Sequence, residues 1–319
     1  MDGTSNFYGV HSVTLYVDSV QVFNSTTDKV LPDENRMING FTDYEELTRT
    51  RRLIMRSYKL PGNRLRLLHT NENRGAVTIN EERDYHFRYV LEDNFGNRRT
   101  YQFTVKGKRQ DIPEYKPEAN EMLYWNRTNV IQKPGMELVV PRYYVYEDVP
   151  LRTDMRGDSS HIAFDYILDA GRTPIHSYCD LSIGLRHMPV ADTTKYYIVQ
   201  KAGKWRSSMG GKYANGWIKT RIRSLGTFSV DVDTIAPQIT PIGQGGWRTS
   251  RNIRFRIKDM ESGIGSYKVY IDGKFVLFGL KKGILVIQDP EKVKKGVPHK
   301  LEVTVTDQCG NMTRKEYKF

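Results

Sequence analysis

A phrase near the start of the chain returns near its end. Gly9 to Phe23 reads GVHSVTLYVDSVQVF, and Gly263 to Leu277 reads GIGSYKVYIDGKFVL. Aligned without gaps, Gly9, Ser12, Tyr16, Asp18 and Val22 fall on Gly263, Ser266, Tyr270, Asp272 and Val276. A second pair follows each copy. Asp93-Asn94-Phe95-Gly96-Asn97 leads into RRTYQFTV, and Asp307-Gln308-Cys309-Gly310-Asn311 leads into MTRKEYKF. One unit therefore occurs twice, and repetition constrains a fold before any single motif does. Val13, Leu15 and Val17 alternate with Thr14, Tyr16 and Asp18, the period of a half-buried strand. Asp272-Gly273 is a two-residue hairpin signal, because a type I′ turn needs positive φ at both central residues. In D-x-x-G-N the Asp caps a turn and the Gly takes its left-handed corner. Two such units predict an all-β chain of tandem immunoglobulin-like β-sandwiches.

The spacing of the motifs sets the domain plan. Asp18 and Asp93 are 75 positions apart, whereas Asp272 and Asp307 are 35 apart. The extra 40 residues read as an insertion at about 24–66 in a first sandwich of residues 1–108. Within it Thr42-Asp43-Tyr44-Glu45 has the form of a capping box, predicting a short helix from Asp43 to Thr50. Residues 106–117 are polar, hold two prolines and read as a linker. Residues 118–232 carry many short strand-like runs separated by Gly and Asn turns, a second sandwich. Among those runs are Glu137 to Pro141, Arg142 to Tyr146, Cys179 to Leu185 and Gly226 to Val232. A third sandwich, residues 233–319, begins at the Asp233-Thr234-Ile235-Ala236-Pro237 junction.

Charge and composition narrow the function classes. A formal net charge of +12 favours anionic partners: nucleic acid, lipid head groups or acidic wall polymers. No basic helix, RNP-like motif or zinc-finger spacing points to nucleic acid. No window approaches the roughly 18 uninterrupted apolar residues of a membrane-spanning helix. No signal peptide is visible, and a strand pattern begins within a few residues of Met1, which suits a chain cut from a longer one or an unusual start. The two cysteines, Cys179 and Cys309, stand 130 positions apart and lack CxxC spacing. They read as buried thiols, with a long-range disulfide as the alternative.

Long phrases of the chain resemble one family. NRMINGFTDYEE, INEERDYHFRYVLEDNFGN, SYCDLSIGLRH and GGKYANGWIKTRIRSLGTFSVDVDTIAPQI look like the β-rich, non-catalytic C-terminal region of Bacteroidetes lysostaphin/LytM-type zinc peptidases. The resemblance implies a cell-envelope setting, at the surface or in the periplasm, next to an enzyme that cuts peptidoglycan. It also implies that the zinc belongs to a catalytic domain outside this chain. The family's metal site requires H-x-x-x-D followed by H-x-H, two imidazoles and one carboxylate around an open position. None of the seven histidines is separated from another by a single residue, so H-x-H is absent. His161 and Asp165 have the first spacing, but on a strand they stand about 13 Å apart. No catalytic residue, metal ligand or cofactor is therefore assigned to this chain.

Three further features have a functional and a plainer reading. Arg156-Gly157-Asp158 spells an integrin-binding tripeptide, or simply forms a polar loop. Asp18 and Asp272 are single carboxylates beside turns, whereas calcium takes six or more oxygens; turn capping is the plainer role. Trp205, Arg206, Lys212, Tyr213 and Trp217 interleave aromatic and basic groups that stack on sugar rings and pair with carboxylates. The plainer reading packs both tryptophans inside the middle sandwich. These five are the candidate ligand surface. By the resemblance, the chain reads as a non-catalytic accessory module of a cell-envelope peptidoglycan metallopeptidase, which positions the enzyme or binds peptidoglycan, another anionic envelope polymer or an envelope protein. A stand-alone adhesin or glycan binder is the alternative, and a hydrolase of unrecognised type a further rival.

Overall fold

The computed structural model describes residues 10–114, 117–158 and 160–319. Gly9, the first residue of the repeat, and part of the expected linker lie outside them. The chain is all-β, with its strands gathered into five antiparallel sheets among the described residues.

The first sheet holds β1 (Ser12–Val17), β2 (Val20–Thr26), β3 (Leu68–Thr70), β4 (Asp84–Glu92) and β5 (Arg98–Lys106), in the order β3-β2-β1-β4-β5. This is one sheet rather than the expected sandwich of two. Its second layer is the insertion, which holds the short helices α1 (Ile38–Phe41) and α2 (Tyr44–Thr50). Met37, Leu60 and Leu65 from the insertion pack on Leu15, Val17 and Phe23 of the sheet. Burying such side chains contributes about 1.5–3 kcal/mol each, so the insertion does the work a second sheet would do. The cap of α2 is also corrected. Asp43, not Thr42, accepts from the Glu46 N–H at 3.0 Å, while Thr42 belongs to the preceding turn and donates to the Asn39 carbonyl at 3.3 Å.

The middle region holds β6 (Glu121–Leu123), β7 (Asn129–Lys133), β8 (Met136–Val140), β9 (Val149–Arg156), β10 (Asp165–Asp169) and β11 (Cys179–Gly184). It continues through β12 (Tyr196–Ala202), β13 (Trp205–Ser208), β14 (Lys212–Ala214), β15 (Trp217–Ile222) and β16 (Gly226–Val232). Two sheets result, ordered β13-β12-β16-β10-β9-β6 and β14-β15-β11-β8-β7. Between them Leu138, Leu181, Ile183 and Ile218 meet Tyr166, Leu168, Ile198 and Phe228 in one buried core. Residues 142–146, read as strand-like, instead form a turn with Tyr143 at φ 68°. The apolar pattern there serves two neighbours rather than one sheet. Val145 enters the middle core, and the next residue, Tyr146, enters the core of the first region. The Tyr146 hydroxyl donates to the Arg36 carbonyl at 2.8 Å, and its own carbonyl accepts from Gly62 at 2.7 Å.

The last region contains β17 (Gln238–Ile242), α3 (Trp247–Ser250), β18 (Arg254–Lys258), β19 (Ile264–Ile271) and β20 (Lys274–Phe275). β21 (Phe278–Lys281), β22 (Ile284–Ile287), β23 (Lys300–Asp307) and β24 (Met312–Lys318) complete it. Its sheets, β17-β18-β22-β21 and β20-β19-β23-β24, enclose Trp247, Phe255, Leu285, Leu301, Val303 and Val305. The repeat is visible as β1, β4 and β5 against β19, β23 and β24. Both hairpins open with type I′ turns, Asp18 and Ser19 at φ 49° and 70°, Asp272 and Gly273 at 50° and 76°.

Candidate functional site

The candidate ligand residues sit on three strands that belong to two sheets. β13 lies at the edge of the six-stranded sheet, and β14 and β15 at the edge of the five-stranded one. The chain crosses between them at 209–211, where Ile198 on β12 bonds to both Met209 and Gly210 at 2.8 Å. Trp205 stands before this crossover and is 81% exposed, so it does not pack the sandwich. Arg206 beside it is held by Asp231 at 3.0 Å. Lys212, Tyr213 and Trp217 follow the crossover. No ring contact among the described residues joins Trp205 to Tyr213 or Trp217.

Register and burial separate the last three as well. Tyr213 pairs with Ile218, which is buried inward, whereas Lys212 pairs with Lys219 and Ala214 with Trp217. Alternation along β15 therefore turns Ile218 and Ile222 to the core and Trp217, Lys219 and Arg221 outward. Trp217 pairs with Gly184, and its indole lies against that backbone. Past the strand end Arg223 joins the row, and it and Arg221 lie over the Tyr178 ring, 4.3 and 5.3 Å from its centre. Lys212, Lys219, Arg221 and Arg223 form no ion pair with any described residue. Asp180 is the carboxylate nearest in register, opposite Arg221. Glu137, Asp180, Lys212, Lys219 and Arg221 border a shallow depression of about 640 Å³.

So the structure keeps Lys212 and Trp217 on one outward face and moves Trp205, Arg206 and Tyr213 elsewhere. It adds Lys219, Arg221, Arg223 and Tyr178, which the sequence reading passed over. The every-second-residue pattern Trp217-Lys219-Arg221-Arg223 was the available signal, masked because all four sit beside apolar core residues. A face of this kind offers a flat ring and four cations, two of them stacked on Tyr178. Groups of these kinds pair with anions and stack on rings.

The remaining candidates resolve into structural roles. His161 bonds Asp158 at 3.0 Å and Asp165 pairs with Lys201 at 2.5 Å, so the H-x-x-x-D spacing does not converge on one point. In the Arg-Gly-Asp loop, Asp158 accepts from the Ser160 hydroxyl and N–H and from His161. Those bonds hold its carboxyl down at about 2. Asp18 and Asp272 cap their hairpins, each accepting a backbone N–H across the sheet at 2.9 Å, from His86 and Lys300. Cys179 and Cys309 are unpaired and buried. Burial pushes their thiols up to about 12 and about 11, which makes both poor nucleophiles.

One carboxylate group escaped the sequence reading. Asp233, Asp259 and Asp307 place oxygens within 4.8 Å of one another where the middle and last regions meet. Such a trio has the chemistry to hold a hard cation. Here the fold itself supplies hydrogen bonds to all three. Asp233 accepts from Ser262 N–H and Oγ at 3.0 and 2.5 Å, Asp259 from Gly263 at 2.7 Å, and Asp307 from Cys309 and Asn311 at 2.8 Å. Burial raises the Asp307 carboxyl above the usual carboxylate range, with the neighbouring Asp233 adding to it. Of the three, Asp233 ties the two regions together, through Ser262 and through the Asn311 side chain on its carbonyl.

Residues 120–233, under half of the chain, match the family model of the Zu5-like domain, the span from β6 to β16. No curated relative matches the sequence. Among solved structures, the chain is similar to a Ca2+-stabilized adhesin that helps an Antarctic bacterium bind ice. Identity is 10%, coverage 98% of this chain and 89% of the other, and the TM-score 0.19. A 1.5-MDa bacterial ice-binding adhesin is similar at 10% identity, with coverage of 96% and 84% and a TM-score of 0.16. TM-scores this low carry no argument about ligand or activity. No described helix is long and apolar enough to cross a membrane.

Proposed function

We propose that the chain is a non-catalytic binding module of the cell exterior that holds an anionic glycan against the outward face of β14 and β15. One observation carries this reading: the row Trp217, Lys219, Arg221 and Arg223, joined by Lys212, has no ion-pair partner among the described residues. Cations without a carboxylate partner favour carboxylate or phosphate groups of a polymer, and the indole offers the stacking face a sugar ring uses. The net charge of +12 draws the same class of partner over longer range. An adhesin or glycan binder fits this face without any enzyme beside it. The resemblance to the tails of wall-cutting zinc peptidases supports an envelope setting. It makes peptidoglycan with its attached anionic polymers the first ligand to try.

The test is co-sedimentation of the purified chain with isolated cell walls at low and high salt. The wild-type chain sediments at low salt and is released as screening increases. The Lys219→Glu, Arg221→Glu double variant stays in the supernatant while keeping its far-ultraviolet spectrum. Wall binding that survives the double variant, or that salt does not weaken, removes the reading.

A further inference from the structure

The two copies of the repeat differ in what covers them. In register, Phe87, Tyr89 and Leu91 of β4 correspond to Leu301, Val303 and Val305 of β23, and Tyr101 and Phe103 of β5 to Lys315 and Tyr317 of β24. In the second copy Leu301, Val303 and Val305 are fully buried by the facing sheet. Tyr317 packs on Trp247 and Phe255, ring centres 5.9 and 5.4 Å away. Thr313 and Lys315 reach across to the Pro237 and Ile239 carbonyls at 2.6 and 2.9 Å.

Among the described residues, nothing comparable covers Tyr101 and Phe103 of the first copy. Phe87 and Tyr89 are half-buried, Tyr101 is 53% exposed and Phe103 48% exposed. Phe87 and Phe103 stack with centres 5.1 Å apart, so the open face is a formed aromatic ladder. The insertion covers β1 and β2 through Leu60 and Leu65 and reaches Tyr89 of β4 through Ser57, whose Oγ accepts from the Tyr89 hydroxyl at 2.8 Å. On β5 Val105 touches this core, and Tyr101 and Phe103 stay open. β5 is also the end strand of its sheet, nine residues long, and no described strand pairs with its outer edge. An extended edge with open backbone groups and an aromatic face beside it is a template for one more strand.

Charge selects the guest. Arg98 and Arg99 open β5, Lys106 closes it, and Lys108 and Arg109 follow. Of these, Arg98 alone forms an ion pair with a described residue, Glu92 at 2.8 Å. A second copy paired antiparallel on this edge would set the arginines near Lys106, and like charges opposite one another destabilise a sheet. The same groups attract acidic side chains. We propose that β5 accepts a sixth strand from a partner protein: an extended acidic segment with apolar residues at alternate positions, their side chains resting on Tyr101 and Phe103. This interface is separate from the glycan face on β15.

The experiment uses the full chain and two capped decapeptides, one alternating Glu with Val and one alternating Lys with Val. Binding is followed by titration calorimetry and by amide hydrogen exchange. The Glu–Val peptide is expected to bind and to slow exchange across residues 98–106, and Phe103→Glu to weaken it at least about tenfold. The Lys219→Glu, Arg221→Glu variant should bind the peptide as the wild type does. Equal binding of the Lys–Val peptide, protection elsewhere, or no binding overturns the proposal. Protection of β5 that grows with protein concentration alone would identify a second copy as the occupant and overturn it too.

Discussion

Asp93 and Asp307 hold equivalent turns with the same hydrogen bonds, yet their carboxyls shift in opposite directions. Each Oδ1 accepts the N–H groups two and four residues on, and each Oδ2 accepts the Asn side chain at 2.8 Å. Around Asp93 those bonds face water, the Asn97 amide foremost, and they lower its carboxyl below the usual range. Around Asp307 burial outweighs the same bonds and raises it. The residue at the tip tells the same story. Phe95 is 92% exposed, whereas its counterpart Cys309 is 3% exposed against Tyr197 and Val199 of β12. One turn is a free corner. The other is a plug between regions, with Lys195 donating to the Cys309 carbonyl at 3.0 Å and Asn311 to the Asp233 carbonyl at 3.0 Å. Local hydrogen bonding sets the shape of a motif, and its surroundings set its energetics.

The largest effect that can sharpen this contrast lies in the strands. Leu301→Ala is expected to cost about 2–5 kcal/mol, because the site is fully buried. Phe87→Ala, at the equivalent place in the first copy, should cost well under half of its Leu301 counterpart. Hydrogen exchange on β23 and β4 measures both, and equal losses would break the comparison. Next comes the turn tip. Cys309→Asp sets a carboxylate in an apolar seat beside Asp307 and Asp233, and should lower stability by at least ~2 kcal/mol. Phe95→Asp should stay within about 0.5 kcal/mol of the wild type in the same denaturant titration.

A smaller effect separates the two hairpins. Burial opposes charging of His299, but Asp272 at 2.6 Å and the Lys294 carbonyl at 2.7 Å outweigh it and raise its pKa. A raised histidine contributes stability that is complete below its unfolded pKa, about 6.5, and is lost as pH rises through the folded value. The last region should therefore weaken on going from pH 6 toward alkaline pH, and His299→Gln should flatten that slope. In the first copy Asp18 is paired with Arg83 at 2.7 Å, which stays charged, so no such slope is expected there. Thermal melts across pH, followed by the Trp247 fluorescence of the last sandwich, decide it. The smallest effect is at acid pH. Asp93, lowered, contributes stability above the unfolded value near 4 that is lost as pH falls through the folded one; Asp307, raised, favours folding on protonation. Acid should thus free the Asn97 amide before the Asn311 amide, read by exchange rates.

Much of this was legible in the chain. The repeat is real down to its hydrogen bonds, because strand alternation, Asp-Gly turns and D-x-x-G-N caps are local and each is written in a few adjacent residues. Strands at Met136–Val140, Cys179–Gly184 and Gly226–Val232 follow the apolar pattern for that reason. The pattern failed where adjacent residues serve different cores, as Val145 and Tyr146 do. It failed again for the ligand surface, where closeness along the chain stood in for closeness in space. Trp205 and Trp217 are twelve positions apart but on different sheets.

By itself the sequence determined the all-β character, the duplicated unit and the turn geometry, since these depend on backbone preference and on period-two burial. Only the tertiary structure decided that an insertion replaces the second sheet of the first region. It also set the row Trp217, Lys219 and Arg221 beside Lys212 and Tyr178, and brought Asp233, Asp259 and Asp307 together from three separate stretches. Each of those outcomes depends on which surfaces meet, and contacts between distant segments leave no mark in any single stretch of chain.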